Sequence, residues 1–575
     1  MYNVSVSKRY LQRFVRKFLP RINIGGEIEP DQIFLDSSNL PNFDTYQFEG
    51  RLEKSISRRT FFFLSMLFLL VAVVFAGRMW FLQVKSGEAY ALRSESNHLR
   101  HTNIFADRGI IYDRLGVKLA WNELNENGDY ALRKYSDKGG FSHLLGFVKY
   151  PAKDKQGIYY EENFTPKGGV EEYYDSELRG RNGLKITETD ALGNIQSESV
   201  LTGPTDGKDI SLSIDERIQA KFYELIATTV AERKFLGGAG VIMDINTGEI
   251  IAVTNYPEFD LNLMTAGEDK ERIEKLLSST DNPFLNRAIG GQFTPGSIMK
   301  PFIAMGALEE KIIDPLKEIN STGSISVPNP YDPTKKTIFH DWRVNGWTDM
   351  RHAIAASSNV YFFSVGGGYD GQKGIGIDNI GKYTKIFGFG EETGIDLFGE
   401  KEGNVPSRAW KIANFKDGEW RLGDTYNSSI GQYGFLTTPI QALRAMTAIA
   451  NSGRLLTPTV RLNNFAVQKK FDTLKFSPEY WKIVREGLRL SVAEGTAKGL
   501  FMPEISVAAK TGTAELGASK AQVNSWVLGY FPYETPRYAF VVLMEKGPRE
   551  NQIGAISIMR GLFEYMYAYT PEYIR

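Results

Sequence analysis

The stretch "GGQFTPGSIMKPFIAMGAL", residues 290–308, places a serine at the start of an apolar helical run, with a lysine three residues later. A Pro-Gly pair interrupts the chain just before Ser297, and Pro301 is tolerated only in the first turn of a helix. Ser297 is therefore predicted to lie at a helix N-terminus, where a free backbone N–H and the helix dipole favour developing negative charge. Lys300 follows one turn later on the same face, within reach of the serine hydroxyl.

This S-x-x-K spacing suits a serine nucleophile with a lysine base, provided that burial or a second cation lowers the pKa of the lysine. The pattern alone is weak, because most such pairs are capped helices with a solvated lysine, and Ser5 and Lys8 match it too. Further motifs are needed to distinguish the two interpretations.

Two such motifs follow Ser297 along the chain. Ser357 and Asn359 give S-x-N in "RHAIAASSNVYFFSVG", which alone reads as a helix cap. Lys510 begins K-T-G in "EISVAAKTGTAEL", a strand-like run whose glycine lets a ligand approach the backbone closely. S-x-x-K, S-x-N and K-T-G in this order form the motif set of β-lactamases and penicillin-binding proteins.

Composition excludes several other chemistries. The 575 residues allow two or three domains, and 68 basic against 68 acidic residues leave no net charge to favour a nucleic-acid partner. The chain has no cysteine, and its five histidines lack metal-ligand spacing. We therefore expect no metal or other cofactor, and catalysis by Ser, Thr, Lys or carboxylates.

One segment, residues 60–84, is apolar for about the length that crosses a bilayer, with Arg78 and Trp80 at interface depth near its end. Basic residues crowd its N-terminal side: Arg51, Lys54, Arg58 and Arg59. The positive-inside rule predicts a single-pass anchor, with residues 1–59 cytoplasmic and everything after about residue 85 outside. The alternative is a cleaved signal peptide ending near Ala76, but the preceding tail is far longer than a signal n-region.

The cytoplasmic tail contains "KRYLQRFVRKFLPR", in which apolar residues recur at helical spacing between basic ones. This pattern predicts a short basic amphipathic helix lying on the membrane or on a partner, with a frayed tail as the alternative.

Beyond the anchor, residues 85–235 show strand alternation and turns such as that after Asp113, and end in a helical run, so they predict a mainly β pedestal domain. Residues 236–575 begin with a hairpin through Gly248, end with two strands and contain long helices between them. We therefore predict an α/β (α+β) domain whose sheet pairs its first and last segments.

From the anchor to the C-terminus the sequence resembles class B penicillin-binding proteins, which are monofunctional peptidoglycan D,D-transpeptidases. The resembling stretches include "ADRGIIYDRLGVKLA", "GGVEEYYDSELRGRNG", "GDTYNSSIGQ" and, favouring the elongation (rod-shape) type, "TGIDLFGE". The pedestal hallmark of the family matches at Glu171, Leu178, Arg179 and Gly180. Two departures are Tyr433, where such proteins usually have Gly, and the long tail; the first bears on local turn geometry.

The resemblance implies a penicillin-binding/β-lactamase-like fold and a role for each motif residue. Ser297 would attack the D-Ala–D-Ala carbonyl, Lys300 would take its proton, and Ser357 and Asn359 would relay a proton and hold the substrate amide. Lys510 would help keep Lys300 neutral and attract the substrate carboxylate. The rest of the K-T-G run, Thr511, Gly512 and Thr513, would bind the substrate. The hydroxyls of Thr511 and Thr513 would bind its carboxylate, and the N–H groups of Ser297 and Thr513 would bind the oxyanion that forms at the attacked carbonyl.

The implied partners are peptidoglycan stem peptides, β-lactams, the membrane, a SEDS-type glycosyltransferase and a rod-complex regulator. The alternatives are a division-specific transpeptidase and, less favoured, a β-lactam sensor or a β-lactamase. Glu258 begins the E-x-x-L-N letters of a deacylating glutamate but precedes Ser297, which argues against the β-lactamase.

Overall fold

The computed structural model describes residues 57–88, 90, 99–126, 128–155, 159–189, 195–332, 334–464, 466, 471–551 and 553–574. The chain forms two compact units, residues 1–96 and 97–575. The basic helix expected in the tail lies outside the described residues.

The first unit contains helix α1, Arg58–Trp80, which continues in a wider π-type turn over Phe81–Lys85. Ser57 caps it by accepting a hydrogen bond from Thr60 N at 3.1 Å. Among the described residues, this is the one helix long and apolar enough to cross a membrane, as the sequence predicts.

The pedestal is mainly β, as expected. The strands are β1 Leu99–Ile104, β2 Ile111–Tyr112, β3 Lys118–Glu123, β4 Leu132–Tyr135, β5 Phe147–Lys149, β6 Ala152–Lys153, β7 Tyr159–Glu161, β8 Thr165–Lys167, β9 Gly183–Thr189, β10 Ile195–Thr202 and β11 Ile210–Ser211. Its sheets have the strand orders β1-β9-β10 and β11-β2-β3-β4, and two two-stranded sheets pair β5 with β8 and β6 with β7. The helices are α2 Ser142–Leu145, α3 Gly169–Tyr173, α4 Asp175–Leu178 and α5 Glu216–Arg233.

The hallmark glutamate of the pedestal lies at the centre of a buried ion cluster. Glu171 accepts hydrogen bonds from Arg108 Nε at 2.5 Å and from Arg133 Nε at 2.8 Å. Burial alone would raise the pKa of Glu171, but the charges of Arg133 and Arg108 outweigh it and hold the pKa below its usual value. The cluster therefore joins three separate segments of the pedestal.

The C-terminal part mixes helices with strands. The strands are β12 Gly237–Asp244, β13 Ile250–Tyr256, β14 Ile319–Ser321, β15 Ser324–Pro328, β16 Lys336–His340, β17 Gly346–Thr348, β18 Arg454–Leu456, β19 Phe471–Thr473, β20 Ala508–Leu516, β21 Gln522–Phe531 and β22 Tyr538–Pro548. The helices are α6 Leu261–Ala266, α7 Lys270–Leu277, α8 Lys300–Glu309, α9 Met350–Ala355, α10 Asn359–Gly367, α11 Gly376–Ile386, α12 Arg408–Asn414, α13 Leu422–Ser428, α14 Pro439–Ala450, α15 Pro478–Ala493 and α16 Ala555–Tyr569. Short 3₁₀ turns span Gly296–Met299, Lys498–Leu500 and Pro571–Tyr573.

An antiparallel five-stranded sheet, in the order β13-β12-β22-β21-β20, organises this part. β12 pairs with β22, so the first and last strand segments meet as predicted. Val241 packs in the core on one face of the sheet and Ile242 in the core on the other, because successive strand residues point to opposite faces. Both faces are covered by helices, which explains the nearly continuous apolar runs of these strands.

Candidate active site

Ser297 lies in the 3₁₀ turn that leads directly into α8, so its predicted place at a helix N-terminus is confirmed. Gly296, at φ +62°, makes the turn, and its N–H donates to Gly431 O at 2.9 Å. A Cβ at Gly431 would lie 2.1 Å from Gly296 O, so only glycine allows the two loops to meet.

Two contacts from the sheet hold this turn in place. Trp526 Nε1 on β21 donates a hydrogen bond to Thr294 O at 3.0 Å. On β20, a Cβ at Gly512 would lie 2.8 Å from Ile298 Cγ2 and 2.9 Å from Pro295 O. The glycine of K-T-G therefore allows the strand to pack directly against the serine turn.

Lys300 is fully buried at the first position of α8. Its Nζ donates to Ser357 O at 2.6 Å and to Asn359 Oδ1 at 2.8 Å, and lies 3.3 Å from Ser357 Oγ. Burial lowers the pKa of Lys300 to about 7, although the charge of Asp341 opposes the shift. A large fraction of this amine is therefore neutral near physiological pH.

The S-x-N loop connects α9 to α10, and its middle serine has the capping role. Ser358 Oγ accepts from Tyr361 N at 3.3 Å and donates to Asp341 Oδ2 at 2.8 Å. Ser357 adopts a left-handed backbone at φ +55°, a conformation that costs a non-glycine residue roughly 1–2 kcal/mol. This arrangement frees Ser357 and Asn359 to face Lys300.

The K-T-G run lies on β20, which is an edge strand of the five-stranded sheet among the described residues. Its alternate backbone N–H and C=O groups therefore point away from β21. Lys510 is fully buried, and its Nζ donates to Thr511 O at 2.8 Å. Burial, followed by the charge of Lys300, lowers the pKa of Lys510 well below its usual value. Thr511 Oγ1 donates to Thr496 Oγ1 at 2.7 Å, and Thr513 is exposed.

The structure thus brings the motif residues to one place. Lys300 contacts the S-x-N loop directly, and the serine turn packs against β20. In the described part of the chain Ser297 Oγ has no hydrogen-bond partner, so the hydroxyl is free. Glu258 is elsewhere: it accepts hydrogen bonds from Gly140 N at 2.6 Å and Ser142 N at 3.0 Å, in the pedestal.

Sequence reasoning missed several residues that support the site. Asp341 accepts hydrogen bonds from Ser358 Oγ and, at 3.1 Å, from Val360 N, so it fixes the start of α10. No motif or periodicity marks this aspartate. Gly431 lies in "GDTYNSSIGQ", which carries the family resemblance, but nothing local in the sequence indicates the contacts that Gly431 and Trp526 make with the serine turn.

Comparisons with known proteins agree with this arrangement. Residues 238–562 match the family model of the penicillin-binding protein transpeptidase domain, and residues 126–212 match that of the penicillin-binding protein dimerisation domain. The peptidoglycan D,D-transpeptidase MrdA of Acinetobacter baumannii is 28% identical over 615 residues, covering 89% of this chain and 88% of that protein.

Two solved structures are also similar over most of the chain. The penicillin-binding protein PBP2 of Helicobacter pylori, in complex with MreC, has 25% identity and a TM-score of 0.68, covering 82% of this chain and 99% of its own. A chain from a peptidoglycan synthase complex that coordinates polymerization and crosslinking has 26% identity and a TM-score of 0.68. The match covers 88% of this chain and 98% of that chain.

Proposed function

We propose that this chain, which belongs to the penicillin-binding protein transpeptidase family, is a peptidoglycan D,D-transpeptidase that cross-links stem peptides during cell elongation. The observation that carries the proposal is the buried amine of Lys300, one turn after Ser297 and bonded to the S-x-N loop. A lysine with a pKa of about 7 is suited to act as a base at neutral pH.

The hydrogen bonds of Lys300 leave its lone pair available. A neutral amine has two N–H groups, and the two nearest acceptors, Ser357 O and Asn359 Oδ1, match them. The remaining lone pair can accept the proton of the free Ser297 hydroxyl as the substrate arrives. Catalytic hydrogen bonds commonly tighten only in the substrate complex, which fits the unbonded Ser297 Oγ.

The reaction then proceeds by acyl transfer. Ser297 Oγ bonds to the carbonyl carbon of the penultimate D-Ala, and the peptide bond to the terminal D-Ala breaks as the leaving amine receives the proton held by Lys300, relayed through Ser357. An amine of a neighbouring stem attacks the resulting ester, and its proton returns to Ser297. A β-lactam acylates the same oxygen when its ring amide opens, and its tethered leaving group remains attached.

The remaining motif residues bind the substrate. Asn359 holds the substrate amide, and the hydroxyls of Thr511 and Thr513 bind the terminal carboxylate. Although the pKa of buried Lys510 is well below its usual value, the arriving carboxylate favours the protonated amine, which then attracts it. The backbone N–H groups of Ser297 and Thr513 form the oxyanion hole. The position of β20 at the end of the strand order supports this role, because an edge strand can pair with an extended peptide.

Similarity also supports the cellular setting. Residues 60–84 anchor the chain in the bacterial inner membrane, with residues 1–59 cytoplasmic and the pedestal (85–235) and transpeptidase domain (236–575) outside. A relative solved with MreC and another from a synthase complex support a rod-complex regulator and a SEDS-type glycosyltransferase as partners. Depletion in the native host should produce rounded cells, whereas filaments would favour a division role instead.

Fluorescent penicillin tests the chemistry. Ser297→Ala in the full-length chain should abolish covalent labelling, because it removes the oxygen that is acylated. Ser5→Ala, which alters the other S-x-x-K match, should label like the wild type. Persistent labelling of Ser297→Ala would overturn the assignment, and cross-linking of lipid-linked stem peptides by the wild type would separate a transpeptidase from a sensor or a β-lactamase.

A further inference from the structure

A half-open cavity of about 620 Å³ lies outside the motif residues, within the size range of ligand pockets of roughly 300–1,000 Å³. The cavity is lined by the β15–β16 hairpin with Tyr331 and Phe339, by the α12–α13 segment with Phe415, and by Tyr433. We call this cavity the ring pocket.

The rings of this pocket are available to a ligand. Tyr331 is 75% exposed and Phe415 is 45% exposed, so both present open surface. Phe415 stacks on Tyr433 with nearly parallel ring planes and centroids 5.9 Å apart, so the two rings support each other in the lining. Aromatic faces of this kind bind ligands with flat apolar surfaces.

The charges that line the pocket mostly neutralise one another. Lys411 Nζ pairs with Asp424 at 2.5 Å, and both side chains are largely buried. Arg421 pairs with Asp417 at 2.6 Å, and its guanidinium lies 4.5 Å from the centre of the Tyr331 ring. Lys416 is the remaining charged residue of the lining, so the pocket offers rings and hydrogen-bonding groups with a net charge of only +1. It therefore suits a neutral polar ligand better than an ionic peptide.

The ring pocket adjoins the candidate active site on two sides. Phe339 is followed by His340, whose carbonyl accepts a hydrogen bond from Asn359 Nδ2 at 3.3 Å. Tyr433 lies two residues after Gly431, which contacts the serine turn. An extended stem of four to five residues spans roughly 13–18 Å, so a group at the root of a stem bound at Ser297 can reach the pocket.

We infer that the ring pocket binds the N-acetylated amino sugar to which a stem peptide is attached. Such a sugar is neutral, has C–H faces that stack on aromatic rings, and carries hydroxyl and acetamido groups along its rim. Asn329 and Asn427 in the lining can bond these groups. This inference rests on the proposed function, because it assigns part of the same substrate to a second site.

Competition against fluorescent penicillin tests the inference in the full-length chain. Uncrosslinked glycan strands bearing stem peptides, and the same stems released from their sugars by an amidase, are compared as protectors of Ser297. We expect the sugar-bearing stems to protect at a concentration about tenfold lower than free stems, the effect of one good ring contact. Equal protection by both would overturn the inference.

Two variants locate the effect. Tyr331→Ala and Phe415→Ala each remove one exposed ring, and the protection by each substrate is normalised to the penicillin-labelling rate of that variant. In each variant, the ratio between the protecting concentrations of free stems and sugar-bearing stems should fall from about ten to close to one. Tyr569→Ala, which removes a ring of α16 that is 68% exposed, should leave the advantage unchanged.

The outcomes separate the two proposals. If both pocket variants keep the full advantage, the sugar binds elsewhere and the ring pocket is excluded. If the wild type does not react with penicillin at Ser297 at all, the proposed function fails and the inference that rests on it fails with it.

Discussion

Tyr174 in the pedestal donates its hydroxyl to Asp396 Oδ2 in the "TGIDLFGE" stretch over 2.5 Å. Asp396 is buried and also accepts hydrogen bonds from Thr459 Oγ1 at 2.6 Å and Val460 N at 2.7 Å. The tyrosine belongs to "GGVEEYYDSELRGRNG". Two stretches that carry the family resemblance in different parts of the chain are therefore joined by one buried carboxylate.

Removal of this hydroxyl should weaken the junction. Tyr174→Phe deletes one donor to Asp396 and should lower the free energy of unfolding by about 1–2 kcal/mol. Tyr173→Phe is the matched control, because the neighbouring tyrosine is 38% exposed and ring contacts are its only described interactions. Thermal unfolding of both variants measures the difference, and equal midpoints would show that the hydrogen bond contributes nothing to stability.

The pH dependence of acylation should follow the buried lysines. Only neutral Lys300 can accept a proton, so the labelling rate should rise about tenfold per pH unit below its pKa and level off above it, with a midpoint near pH 7. Because Lys300 and Lys510 interact, the midpoint belongs to the pair.

Stopped-flow labelling with fluorescent penicillin between pH 5.5 and 9 measures this profile. Lys275→Met, at an exposed position of α7, should keep the wild-type midpoint. A rate independent of pH over this range would exclude Lys300 as the proton acceptor.

Local chemistry explains why so much of the site could be predicted. Ser297 and Lys300 are related by one helical turn, and a proline and a glycine mark where that turn begins. Gly512 on a strand predicted the close approach of a ligand to the backbone, and the structure shows that the serine turn packs against this glycine. The pairing of the first and last strand segments of the domain could be predicted because these buried strands are continuous apolar runs.

Long-range contacts explain what could not be predicted. Asp341 meets Ser358 across a loop, and Trp526 reaches Thr294 from a strand more than 200 residues away. Neither pairing leaves a periodic pattern, because each depends on the tertiary packing of separate elements. The ring pocket was missed for the same reason, since its two walls come from distant segments.

Gly512→Ala should displace the serine turn with little effect on the rest of the fold. The new methyl group would lie under 3 Å from Ile298 Cγ2 and Pro295 O, and such overpacking costs about 1–3 kcal/mol. We expect the penicillin-labelling rate to fall about tenfold or more. Gly203→Ala, where nothing lies within 4 Å of the added Cβ, is the control. Wild-type labelling by Gly512→Ala would mean that the turn can shift without loss of function.

Tyr433 stands where similar proteins usually have Gly, and this difference allows a test of the turn geometry. The structure places Tyr433 at φ +56°, a left-handed backbone that costs a non-glycine residue about 1 kcal/mol, while its ring packs on Trp410 and Phe415. Tyr433→Gly and Tyr433→Ala both lose the ring, but only glycine relieves the backbone, so it should be the more stable variant by about 1 kcal/mol. At Tyr160, on strand β7, the order should reverse, because glycine weakens a strand. Thermal unfolding of the Gly and Ala variants at both positions measures their relative stabilities. If Tyr433→Ala is more stable than Tyr433→Gly, the left-handed turn is contradicted.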